Sequence, residues 1–245
     1  MNRNLTTILE ILLYTGIFST LLPLVFFLLF KRNGKQDSLR VILFYVLYCI
    51  VNEAMGFYLQ NIRSANFRYL LYAFTVVEYS FFCYFIYLIL NRSKVRKAIV
   101  FIWIGFLLFS FIDLFYVNEG HGFDSFTSGI ESIIILLLCV YYLFSQIAGS
   151  NSLLIYSTFD FWVVIGFLIY FSGTFFLYLM TDKMMKSPHF QQLYFVINIS
   201  FNILKNILLS IAMTMKLNNS IDKDSKALPK LDDDFFIHTK QQLSD

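Results

Sequence analysis

The sequence predicts an all-α fold, a bundle of seven transmembrane helices that takes up nearly the whole chain. The composition and the regular recurrence of long apolar segments support this prediction. The 245 residues are 58% hydrophobic and only 14% charged, and their mean hydropathy is +0.66. A soluble globular domain carries roughly 25% charged residues. The composition therefore indicates a chain whose main solvent is lipid.

Seven charge-poor segments recur along the chain, each near the roughly 20 residues that a helix needs to cross the hydrocarbon core of a bilayer. They are predicted at 7–30, 39–60, 68–90, 98–117, 129–148, 159–180 and 190–215. The connectors between them are short and polar, so none can hold a folded domain. Residues 1–216 thus form one transmembrane domain. The tail, 217–245, is predicted to be disordered, or to dock on a cytoplasmic partner through its acidic and aromatic stretch at 232–237.

The uneven distribution of Lys and Arg predicts the orientation of the chain. The first and third loops, their flanks and the stretch 216–226 carry 11 of these residues, whereas the opposite side carries 5. The larger group consists of Lys31, Arg32, Lys35, Arg40, Arg92, Lys94, Arg96, Lys97, Lys216, Lys223 and Lys226. We therefore expect a cytoplasmic C-terminus and an N-terminus outside.

Ionisable residues inside a span are costly, about 2.5–3.5 kcal/mol each at mid-bilayer, so they usually face the bundle interior and mark a site. Glu78 and Lys205 lie near the centres of the third and seventh spans. Glu53 lies in the outer half of the second span, and Glu131 enters the fifth span from outside. Three further ionisable residues lie near span ends, where we expect water to reach them: Glu10, Asp113 and Asp160.

A polar stripe on the seventh span suggests how these residues meet. Asn198, Asn202 and Lys205 are spaced by four and three residues, so they share one helical face. Glu78 is the expected partner of Lys205, because pairing removes two uncompensated charges at similar depth. One interpretation is structural, an ion pair that fixes helix packing. The other is a ligand or signal cavity open to the outer face and lined by Glu53, Glu78, Glu131, Asn198, Asn202 and Lys205.

Small residues in the sixth span predict a close contact with a neighbouring helix. Gly166 and Gly173 are two helical turns apart, and Ser172 and Thr174 lie beside the second glycine. Close packing explains this pattern, and a small-residue pivot for a helix shift is the alternative.

Catalytic chemistry is not indicated by the sequence. The three histidines, His121, His189 and His238, fall in loops or in the tail, so the spans lack the ligands of an intramembrane zinc site and a base for a serine nucleophile. No glycine-rich phosphate loop is present. We therefore predict that the protein is not an enzyme and that it binds no cofactor, no metal ion and no nucleic acid. The expected partner of its outer surface is the lipid bilayer.

Two other classes remain open for the charged pair. The layout of Lys205 and Glu78 is similar to that of retinal proteins, but Phe201 stands four residues before the lysine, where the microbial pattern has Asp. The sixth span also lacks the Trp-x-x-Tyr-Pro run of that family. Transport of a small solute or ion is the main alternative, because charged residues at mid-membrane also mark ion pathways.

Three runs, at 126–132, 160–174 and 198–208, resemble a group of uncharacterised bacterial seven-helix proteins. Their relatives resemble sensor regions that lie beside, or are joined to, histidine kinases. The resemblance covers spans five to seven, about a third of the chain. It implies a receptor-like protein of a bacterial inner membrane. Because the chain continues for only about 30 residues beyond the seventh span, a histidine kinase or other cytoplasmic partner would be a separate polypeptide.

Overall fold

A computed structural model describes residues 3–30, 36–62, 67–90, 92–117, 125–148, 156–184 and 187–215. These residues form seven α-helices: α1 (Arg3–Leu29), α2 (Asp37–Ile62), α3 (Phe67–Ile89), α4 (Ser93–Ile112), α5 (Ser125–Ile147), α6 (Phe159–Met184) and α7 (Pro188–Thr214). Each contains a stretch of 20 to 27 residues that is long and apolar enough to cross a membrane. The predicted all-α bundle of seven apolar helices is confirmed. The predicted tail, 217–245, lies outside the described residues.

The helix bounds agree with the predicted spans to within a few residues, with one local difference. A π-helical turn, Asp113–Val117, follows directly on α4. Such turns interrupt the regular α-helical hydrogen-bond pattern and occur often at functional sites. We found no pattern in the sequence that predicts this turn.

Six of the described helices close into a ring, and α4 packs on its outside against α3 and α5. α1 packs between α2 and α7, α7 packs against α6, and α6 packs against α5. α3 contacts α2, α4 and α5, and so completes the ring. Large apolar side chains cover the outside, including Leu29, Phe144 and Phe101, which is 81% exposed. An outer surface of this kind is what lipid tails cover, whereas soluble monomers rarely show it.

The bundle interior differs between its two ends. We call the end at which α1 begins the N-terminal end; α3, α5 and α7 also begin there, and the opposite end is the C-terminal end. In the C-terminal half, large aromatic residues fill the space between α3, α5 and α6. Phe82, Phe85, Tyr142, Phe159 and Phe167 are each at most 1% exposed. This aromatic core fills that half of the bundle.

The connection between α3 and α4 is held by Arg96. Its Nε donates to the carbonyl oxygens of Leu90, at 2.6 Å, and Tyr87, at 3.1 Å. Its guanidinium carbon also lies 5.2 Å from the centroid of the Tyr87 ring, within cation–π range. The last carbonyls of a helix have no partner within the helix. Arg96 therefore caps α3 and ties it to α4.

Candidate functional site

The ion pair that the sequence predicts between Glu78 and Lys205 is present near the centre of the bundle. Nζ of Lys205 lies 3.1 Å from Oε1 of Glu78, and each side chain is 3% exposed. Nζ also donates to the Tyr45 hydroxyl at 2.7 Å, and this hydroxyl donates to the same Glu78 oxygen at 2.5 Å. Three helices, α2, α3 and α7, therefore meet in one hydrogen-bonded triad.

Aromatic rings surround the ammonium group of Lys205. Its Nζ lies 4.1 Å from the ring centroid of Tyr170, 5.4 Å from that of Tyr45 and 5.7 Å from that of Phe167. An ammonium has three protons to donate, and two of its bonds go to Tyr45 and Glu78. The Tyr170 ring offers its negative face to the same charge. A buried charge is tolerated only when hydrogen bonds and an opposite charge compensate it. For Lys205, other residues of the bundle provide both.

A second hydrogen-bonded chain links α7 to α1 and α2. Nδ2 of Asn206 donates to Oγ of Ser19 at 2.9 Å and to Oγ1 of Thr20 at 3.5 Å. Thr20 in turn donates from Oγ1 to Oε1 of Glu53 at 2.6 Å. Asn206 directly follows Lys205, so α7 is joined through two consecutive residues to α1, α2 and α3.

A partly open cavity of about 230 Å³ lies beside these two networks. Side chains from α1, α2, α3, α5, α6 and α7 line it, so it lies between most of the helices. Its wall draws on Glu53 near the end of α2, Ser128 near the start of α5 and Asn198 in the first half of α7. The cavity therefore occupies the N-terminal half. Its charged and amide side chains are Asn52, Glu53, Asn198, Asn202, Lys205 and Asn206.

Four of the six residues predicted to line a cavity do so, and the other two lie behind its wall. The four are Glu53, Asn198, Asn202 and Lys205. Glu78 reaches the cavity only through its bond to Lys205. Glu131 is 2% exposed and lies about one helical turn deeper along α5 than Ser128, which does line the cavity. The structure thus places Glu131 inside the packed bundle.

The two glycines of α6 lie where that helix meets α7. A Cβ atom on Gly173 would overlap the ring of Phe201. A Cβ atom on Gly166 would stand 3.4 Å from Cβ of Leu208 and 3.6 Å from the carbonyl oxygen of Lys205. Gly173 therefore leaves room for the Phe201 ring between α6 and α7, and Gly166 lies at an ordinary contact distance.

Two acidic residues near span ends are buried, so the prediction that water reaches them is wrong. Asp113 is 1% exposed and Asp160 is 2% exposed. Oδ2 of Asp113 accepts hydrogen bonds from the hydroxyls of Tyr72, at 2.9 Å, and Thr127, at 2.6 Å. Asp160 lies in the first turn of α6, where the helix dipole favours an acidic group. Neighbouring helices cover both residues, and position along one span does not reveal that cover. Glu10, by contrast, is exposed.

The cavity wall also contains residues that sequence reasoning missed. Tyr170, Tyr178 and Tyr194 line it, and the hydroxyls of the first two lie 3.0 Å apart. Tyr194 stands four residues before Asn198, so it continues the polar stripe of α7, and this spacing could have identified it. Asn52 directly precedes Glu53. Its Oδ1 atom is buried and has no hydrogen-bond partner among the described residues.

These features define the class of the protein as an integral membrane bundle of seven helices with a polar cavity in one half. No protein-family model matches the chain. No curated protein and no solved structure matches it either. Within the described residues, no group of three or more His, Cys, Asp and Glu side chains could hold a metal ion. The resemblance to sensor regions stays a prediction.

Proposed function

We propose that the chain is a sensory receptor of a bacterial cytoplasmic membrane that passes a signal to a separate cytoplasmic partner, such as a histidine kinase. The observation that carries this proposal is the shared wall of the cavity. Lys205 and Asn206 line the cavity and also form the bonds that hold α7 to α1, α2 and α3. A ligand in the cavity therefore contacts the groups that fix helix positions.

A ligand shifts a protein between two arrangements only if it binds one of them more tightly. The two proposed arrangements differ in whether the bond between Glu78 and Lys205 is made or broken. With the bond made, α3 and α7 are held together. A ligand that changes the bonds of Lys205 or Asn206 favours the other arrangement, and Gly173 provides the narrow contact along which α6 and α7 slide.

Transport of a small solute or ion is the second candidate, because a charged pair at mid-bilayer also marks ion pathways. Among the described residues, the polar cavity lies in the N-terminal half. The aromatic core around Phe82 and Phe167, whose ring centroids are 4.8 Å apart, fills the other half. A transporter must open this second half in turn, whereas a receptor needs no passage through it. This difference favours the sensory role.

The proposed orientation, with the N-terminal end and its cavity outside, has a direct test. Tyr58 is an exposed residue near the end of α2, and Lys94 is an exposed residue near the start of α4 at the opposite end. In intact cells, a membrane-impermeant thiol reagent should label Tyr58→Cys and spare Lys94→Cys until the cells are opened. The reverse pattern would place the cavity on the cytoplasmic side and contradict the proposal.

The two-arrangement mechanism can be tested by distance measurements between spin labels in lipid nanodiscs. Lys94→Cys and Tyr156→Cys provide exposed attachment sites near the starts of α4 and α6, whereas the three native cysteines are buried. We expect one distance distribution in the parent protein and a second population after Lys205→Met. Adding Glu78→Gln to that variant should restore the first distribution.

The matched control for this measurement is Lys97→Met, the same chemical change at an exposed position of α4. It should leave the distribution unchanged. Identical distributions in all variants would contradict the receptor mechanism. Uptake of labelled methylammonium, rubidium or chloride into proteoliposomes, lost on Glu78→Gln, would instead establish transport.

A further inference from the structure

We infer that the cavity takes a small organic cation, a protonated amine, whose charge lies opposite Glu53. This inference rests on the proposed function, because the ligand occupies the same cavity. It adds the chemical class of that ligand. Charge, hydrogen-bonding capacity, aromatic lining and size each support it.

The formal charge around the cavity is negative. Glu53 and Lys205 are its charged lining residues, but the lysine is already paired with Glu78 behind the wall. In their ionised forms, these three side chains together carry one excess negative charge. An isolated charge in a membrane interior is unfavourable unless an opposite charge accompanies it. A cationic ligand supplies that charge.

Two neighbouring residues of the cavity wall, Asn52 and Glu53, have hydrogen-bonding capacity to spare. A carboxylate has about four lone-pair positions, and Oε1 of Glu53 accepts its bond from Thr20. The neighbouring Oδ1 atom of Asn52 is buried without a partner among the described residues. A buried acceptor of this kind requires an explanation, because most such atoms are satisfied in folded proteins. An ammonium group, which only donates, can serve both Glu53 and Asn52.

Aromatic side chains provide the remainder of an ammonium site. Phe74, Tyr170, Tyr178 and Tyr194 line the cavity. Aromatic faces attract organic cations, as in the aromatic cages that bind methylated amines. The same bundle already uses this interaction, since Nζ of Lys205 lies 4.1 Å from the Tyr170 ring centroid. A carboxylate beside several tyrosines suits an amine better than an inorganic ion.

The size of the cavity argues against a large ligand, and the position of Lys205 argues against an anion. At about 230 Å³ the cavity is smaller than the roughly 300–1,000 Å³ of drug-sized pockets, so the ligand is small. An anion would have to take Lys205 away from both Glu78 and Tyr45. It would also meet the like charge of Glu53.

Charge-selective thiol labelling tests this inference on the full chain in proteoliposomes. Asn198→Cys introduces a thiol on the cavity wall. It is reacted with cationic 2-aminoethyl methanethiosulfonate and, separately, with anionic 2-sulfonatoethyl methanethiosulfonate. Each rate is divided by the rate of the same reagent with free 2-mercaptoethanol. Peptide mass mapping separates position 198 from the native cysteines, of which Cys49 also lines the cavity.

We expect the cationic reagent to react about tenfold faster than the anionic one after this correction, within the range by which charged clefts raise local ion concentration. Glu53→Gln in the same background should remove most of the preference. Asp37→Asn, the matched loss of an exposed acidic residue at the C-terminal end, should preserve it. The comparison of the two reagents needs only Asn198→Cys, so it remains decisive if Glu53→Gln folds poorly.

Equal rates, a faster anionic reagent, or a preference that survives Glu53→Gln would overturn the cationic ligand and leave the receptor proposal standing. Absence of labelling at position 198 by either reagent would overturn both, because no polar solute would then reach the cavity. Cation-selective labelling together with unchanged spin-label distances would support the cationic site and contradict the receptor mechanism.

Discussion

Breaking the bond between Glu78 and Lys205 has a cost that follows from the geometry of the triad. In Lys205→Met, the carboxylate of Glu78 loses the ammonium at 3.1 Å and keeps the Tyr45 hydroxyl at 2.5 Å. Because the Glu78 side chain is only 3% exposed, water cannot replace the lost partner. Removing one member of a buried ion pair costs about 3–5 kcal/mol. We expect a loss of this size in the free energy of unfolding.

The double change Lys205→Met with Glu78→Gln should recover most of this loss, because it leaves no buried charge. The difference between the double variant and the sum of the single variants is the coupling energy. Since the two side chains touch directly, we expect this energy to reach about 2 kcal/mol or more. Unfolding in mixed micelles of rising sodium dodecyl sulfate content, followed by circular dichroism, measures each free energy.

Lys97→Met is the control for this cycle, because it makes the same change on the exposed surface of α4. Exposed substitutions usually change stability by no more than about 0.5 kcal/mol. A double variant that loses as much stability as the two single variants together would refute the reasoning, since the two residues would then contribute independently.

Two further predictions concern helix packing and the polar cluster at the N-terminal end. Gly173→Ala should destabilise the bundle by about 1–3 kcal/mol, because its Cβ would overlap the Phe201 ring. The control is Gly105→Ala, whose added Cβ has no atom within 4 Å. In the same micelle assay this control should leave the stability unchanged or raise it. Tyr72→Phe should cost about 1–3 kcal/mol by removing one of the two hydroxyl donors to buried Asp113, and an unchanged unfolding curve would show that this bond contributes nothing.

The sequence predicts the seven helices and the central pair because each follows from one large energetic term. Long apolar segments have no other stable conformation in lipid, so their existence and approximate bounds can be read directly. A lysine and a glutamate at the same depth are also expected to pair, because an unpaired charge inside the membrane is unfavourable. The pairing of Glu78 with Lys205 therefore needed no knowledge of the neighbouring helices.

Features that depend on which helices are neighbours could not be predicted. Asp113 is buried because Tyr72 and Thr127 come from two other helices that cover it. The cavity arises where several helices leave space between them, and a single tyrosine such as Tyr178 has the same local pattern whether it fills a core or borders a cavity. Glu131 and Glu53 are both single acidic residues within an apolar span, so the sequence does not distinguish them. Only the packing of the helices determines that Glu131 is buried and that Glu53 lines the cavity.

The cap that Arg96 forms on α3 joins the end of α3 to the start of α4. Its bonds to the carbonyl oxygens of Leu90 and Tyr87 leave little freedom for the two helices to move separately at that end. Glu78 lies on α3, so in the proposed receptor a displacement that begins at the triad would be carried along α3 to α4. It would reach the exposed basic start of α4, where Lys94 and Lys97 lie.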